Sequence, residues 1–75
     1  MDFNKTGLDF SKLLNFSRLS NRELLETEAS LNHHDLELDA IICSRAGLEI
    51  EWANADSETF EGVIDRAIEI LKEGI

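Results

Sequence analysis

Apolar and polar residues alternate through the middle of this chain and recur at threes and fours near its end, so two kinds of element are expected. Over residues 36–54, Leu36, Leu38, Ala40 and Ile42 alternate with Glu37, Asp39, Ile41 and Cys43. Beyond Arg45-Ala46-Gly47, Leu48, Ile50 and Trp52 alternate with Glu49, Glu51 and Ala53. A period of two is that of a half-buried strand, and the pair of runs predicts a β-hairpin. Both apolar sets must face one side. Ser44 opposite Leu48 satisfies this, pairs Ile42 with Ile50 and Ala40 with Trp52, and leaves a three-residue loop ending at Gly47 in the left-handed conformation.

The period changes to 3.6 over residues 57–73. Phe60, Val63, Ile64, Ala67, Ile68 and Leu71 form one apolar stripe, which predicts an amphipathic helix packed on the hairpin. Asp56 or Ser57 is the expected cap, and Gly74 the expected left-handed terminator with Ile75 folding back on Ile70. Gly62 falls on the exposed side of this helix.

Ahead of the hairpin, Ser20 and Glu23 have the spacing of a capping box, predicting a helix that runs to about Asn32 and buries Leu24, Leu25, the stem of Glu28 and Leu31. Residues 23–31 also alternate, so a third strand is the alternative there. The capping box and the helix formers Glu, Leu and Ala favour helix. Asp9 is placed to cap a short helix over Phe10–Phe16 with Phe10, Leu13 and Leu14 on one side. Residues 1–8 read as a loosely held arm. The expected architecture is a single α+β domain over residues 1–75: a β-hairpin packed by a C-terminal amphipathic helix and preceded by one or two N-terminal helices (ααββα, or αβββα with the third strand). Two strands alone do not make a stable sheet, so the hairpin also needs the third strand, the N-terminal helix or a second chain against it.

Charge changes the picture next. The chain of 75 residues has a net charge of −9. Residues 1–34 hold five acids and four bases, whereas residues 35–75 hold eleven acids and three bases. Such a balance opposes direct binding to nucleic acid, which needs clustered Lys and Arg, and to anionic membranes. A basic protein surface is the natural complement. Glu58, Glu61, Asp65, Glu69 and Glu73 would lie along one line of the C-terminal helix, about 6 Å apart per four-residue step. Glu37, Asp39, Glu49 and Glu51 would stand on the outer face of the hairpin around Ile41, Cys43 and Ala53. These nine acids, with Ile41, are the candidate partner-binding residues. The line is coarser than the phosphates of duplex DNA, which fall about every 3.4 Å per strand, and the two acidic sets face opposite ways, so imitation of a nucleic-acid backbone is only weakly supported.

Catalytic chemistry finds no foothold. His33-His34-Asp35 lacks the spacing of a zinc site and reads as a loop. Cys43, the single cysteine, faces Glu49 in the derived register and would be a poor thiolate. No Gly-rich phosphate loop and no Ser/His/Asp arrangement occurs, so no enzyme, metal or cofactor is expected. With no signal-peptide pattern and a lone cysteine, the expected compartment is the cytoplasm. In size and charge the chain resembles the small acidic inhibitors that phages and mobile elements encode against host nucleases and DNA-binding complexes. The functional expectation is a small non-enzymatic interaction domain, an inhibitor docking on a basic surface of a nucleic-acid-handling protein. The alternative is an assembly protein that forms a homodimer through the hairpin.

Overall fold

A computed structural model describes residues 8–33 and 35–74, and every element in them is a helix. In chain order these are α1 (Phe10–Ser17), α2 (Asn21–Ser30), α3 (Leu36–Arg45), α4 (Glu49–Asn54) and α5 (Phe60–Glu73). No strand occurs among the described residues, which overturns the α+β architecture. Residues 36–54 form two helices instead of a hairpin, and residues 23–31 belong to α2 instead of a third strand. The arm expected over residues 1–8 lies outside the described residues except for Leu8, as do His34 and the contact expected of Ile75.

The ends of α3 show why this segment coils. Asp35 caps it, its Oδ1 accepting from the backbone N–H of Glu37 at 3.1 Å and of Leu38 at 3.3 Å. Glu37 and Asp39 occupy the first turn and Arg45 the last, the charge order that a helix macrodipole favours. The far end closes as a Schellman motif. The N–H of Leu48 donates to the Cys43 carbonyl at 2.8 Å, and that of Gly47 to the Ser44 carbonyl at 3.1 Å. Gly47 has φ of 78°, so the left-handed conformation expected of it is present, but it terminates a helix where a hairpin loop was expected. Leu48 then turns inward and α4 follows, burying Leu48 and Trp52 four residues apart.

α3 is the centre of the molecule and touches each of the other four helices. Its buried residues are Leu38, Asp39, Ile42 and Cys43, one face of a helix and two faces of a strand. Asp39 is the reason the alternation misleads. An acid read as charged and outward forces a period of two on a segment whose inward face includes that acid.

α5 lays Ile64, Ala67 and Leu71 into the core, with Phe60, Val63 and Ile68 half-buried beside them, as the apolar stripe required. Asp56 caps the turn that leads into it, accepting at Oδ1 from the N–H of Glu58 and Thr59 at 2.9 and 3.0 Å. At the other end Gly74 has φ of −88°, a right-handed conformation in place of the left-handed one expected. The capping box of α2 is complete, with Glu23 N–H on the Ser20 hydroxyl at 3.2 Å and Ser20 N–H on the Glu23 carboxylate at 3.0 Å. α1 begins at its Asp9 cap, yet Phe10 and Leu14 face outward while Leu13 and Phe16 turn in.

Gly62 lies exposed in α5 with open space where a Cβ would go. Gly62→Ala is therefore expected to raise unfolding stability by about 1 kcal/mol, read from the midpoint of urea denaturation. A loss of stability would show that this position is occupied.

Candidate functional site

The outer face of α5 carries four of the five acids of the expected line. Glu61, Asp65, Glu69 and Glu73 are exposed on successive turns, and Glu58 is exposed in the turn just before the helix. The side chains of Asp65, Glu69 and Glu73 make no hydrogen bond or ion pair among the described residues. Like charges four apart weaken a helix by a few tenths of a kcal/mol per pair, and acids in its last turn oppose the macrodipole. Lys72 is the one base in that last turn. The helix would be more stable without these acids.

Apolar surface lies among them. Asp65, Arg66, Glu69 and Ile70 line an open depression of about 400 Å³, and Ile70 is 41% exposed. This residue falls outside the buried stripe of α5, and that mismatch in phase was the available sign that it faces solvent. At the other end of the line, Glu61 shares a groove of about 370 Å³ with Glu28, Leu31, Asn32 and His33. Glu49 and Glu51 are exposed on α4 around Ile50, which is 72% exposed.

Three of the expected docking residues are turned to other work. Glu37 faces α1, where its Oε2 accepts from the Asp9 N–H at 3.0 Å and its Oε1 pairs with the Lys12 ammonium at 3.3 Å. Lys12 also reaches Asp35 at 2.8 Å, so one lysine clamps α1 onto the start of α3. Hydrogen bonds to Asp35 and then to Glu37 raise the Lys12 pKa above the ordinary lysine value. Burial pushes the Asp35 carboxyl up, but the bonds from Lys12 and the Leu38 N–H outweigh it and hold the group below the usual range. Ile41 is half-buried against the core. Asp39 is wholly enclosed.

Asp39 is 0% exposed and meets Glu28 across the contact between α3 and α2. Burial first, then the hydrogen bond and the charge of Glu28, then the charge of Asp35, push its pKa up to about 9. At neutral pH Asp39 is thus a neutral acid, able to donate its proton to the Glu28 carboxylate. An uncharged carboxyl in a hydrogen bond fits a core that a carboxylate would disrupt. Sequence reasoning placed Asp39 outside and took Glu28 as a buried stem, so it missed the pair. The signal was an acid at the core phase of α3, one turn ahead of Cys43.

Cys43 is buried, and its thiol is pushed up to about 12 by burial and then by Asp39 and Glu28, in place of the Glu49 neighbour expected from the hairpin register. Such a thiol stays protonated and is a poor nucleophile. His33 is exposed at the rim of the Glu61 groove. Among the described residues no group of three or more His, Cys, Asp or Glu is placed to hold a metal ion. None of the described helices is long and apolar enough to cross a membrane. No family model, curated protein or solved structure matches the chain.

Proposed function

We propose that this chain is a small non-enzymatic interaction protein that docks on a basic protein surface through the outer face of α5. The observation that carries this reading is the line of Asp65, Glu69 and Glu73, exposed and without partners among the described residues, on a helix that they weaken. Folding gives no reason to place them there. An anionic strip raises the encounter rate with a cationic surface, and an apolar patch within it prolongs the contact. Ile70 and the depression beside it supply that patch. The most specific form of the proposal is an inhibitor occupying the basic groove of a nucleic-acid-handling protein in the cytoplasm, a setting that the lone buried Cys43 suits.

The described residues form no hairpin, so assembly through a hairpin edge is not proposed. Glu49 and Glu51 form a separate acidic patch on α4 and provide the internal control. A partner captured from the native host, then purified, should bind the wild-type chain with an affinity that falls steeply as salt rises. Combined Glu61→Lys, Asp65→Lys and Glu69→Lys should weaken that binding at least tenfold, and Glu49→Lys with Glu51→Lys should change it less than threefold. Equal binding by the triple variant would reduce the line to a solubilising surface.

A further inference from the structure

We propose that Glu28 and Asp39 make the α2–α3 contact a proton-operated latch, closed while the two carboxyls share a proton and released when that proton leaves. The geometry provides the fully buried Asp39 from α3 and, from α2, the half-buried Glu28 with its Oε2 enclosed, and the two meet at the contact. Asp39 sits among the buried Leu38, Ile42 and Cys43 of its own helix, and Leu24 is buried one turn before Glu28 on α2. The other charge acting on Asp39 comes from Asp35 on its own helix, itself neutralised by Lys12. α5 packs against both helices: its buried Ile64, Ala67 and Leu71 carry no charge, and its Glu61 lies with His33 in the groove beside Glu28.

With the proton in place, the pair is a hydrogen bond across the contact. Without it, two carboxylates face each other in an apolar setting. The cheapest relief is for α2 to move away, because Glu28 already borders the groove that it shares with Leu31, Asn32, His33 and Glu61 and can turn into water there. Proton loss from the closed form (Asp39 is pushed up to about 9) falls in the range of mildly alkaline solution.

Hydrogen exchange of the full chain between pH 6 and 10, corrected for intrinsic rates, tests the latch. Amides of α2 from Leu24 to Ser30 should lose protection by up to about tenfold per pH unit, the limit for one linked proton. By pH 10 they should exchange freely while α5 amides near Ala67 remain protected. Asp39→Asn should remove the pH dependence of α2, and Glu28→Gln should weaken it, because the facing charge is gone while the buried Asp39 still titrates. Protection of α2 that does not change with pH would overturn the latch. So would α2 and α5 losing protection together at one level, or both variants retaining the wild-type profile.

Discussion

Asp39→Asn is expected to yield a protein that is more stable than the wild type in alkaline solution and nearly indifferent to pH above 5. The sign follows from where the proton resides. In the native chain Asp39 is pushed up to about 9, whereas the unfolded chain has an ordinary aspartate with a pKa of 3.8. Between those values the native state holds a proton that the unfolded state has released. The contribution of Asp39 is thus fully present below about pH 4 and is lost as pH rises towards 9, by at most about 1.4 kcal/mol per pH unit. Asp35, Glu23 and Asp56 have the opposite sign: each is held below the usual range in the folded chain and gives up its stabilisation only in acid. Stability should therefore peak in mildly acidic solution. Asparagine keeps the shape of the side chain and offers Glu28 an N–H that does not titrate. A gain of about 1–4 kcal/mol at pH 8 is expected, because folding of the wild-type chain there must take up a proton that asparagine does not need. Urea unfolding followed by the single, buried Trp52 reads it directly. Were residue 39 on the surface, the change would stay within about 0.5 kcal/mol at every pH.

Ile42→Ala should remove a large share of the total stability. Ile42 is fully buried at the centre of α3, in one core with Leu24, Ile64 and Leu71 from the helices on either side. Truncating such a residue costs about 2–5 kcal/mol, lost transfer energy and residual cavity combined. A domain of this length has a total of roughly 4–11 kcal/mol, so the variant sits near the edge of folding. The denaturation midpoint should fall sharply with an unchanged slope. Ile41→Ala, one residue away and half-buried, should cost about 1 kcal/mol. Equal costs at the two positions would contradict the helical phase of α3.

What could be read from the residues alone depended on whether side chains kept their usual character. α2 and α5 were legible because their caps and stripes are conventional: Ser20 and Glu23 close the box, Asp56 caps the turn, and Ile64, Ala67 and Leu71 point inward. α3 was not, because its pattern includes an acid at a core position. Treating Asp39 as ionised turned i, i+1, i+4, i+5 burial into false alternation, and Gly47 reinforced the error since hairpin loops and Schellman caps both want a left-handed glycine. The opposing signs were present in Asp35 ahead of the segment, Arg45 near its end and Leu48 after the glycine, a full set of helix stop and start signals. The same substitution of strand for helix misplaced Glu37 and Ile41. The line on α5 was read correctly except at Glu58, which precedes the helix.

The acids thus divide into two groups with different physics. Asp35, Glu37, Asp39 and Glu28 are held inside the fold by Lys12, by backbone donors or by each other. Asp65, Glu69 and Glu73 are held by nothing among the described residues, and the proposed function rests on that separation. It is tested most directly by Glu69→Lys combined with Glu73→Lys, measuring unfolding stability and affinity for the purified partner on the same sample. Two cations in the last turns relieve repulsion and suit the macrodipole, so stability should rise by about 0.5–1 kcal/mol while affinity falls at least tenfold. A variant that binds as tightly as the wild type, or that loses stability, would contradict a helix face kept for a partner at the expense of its own fold.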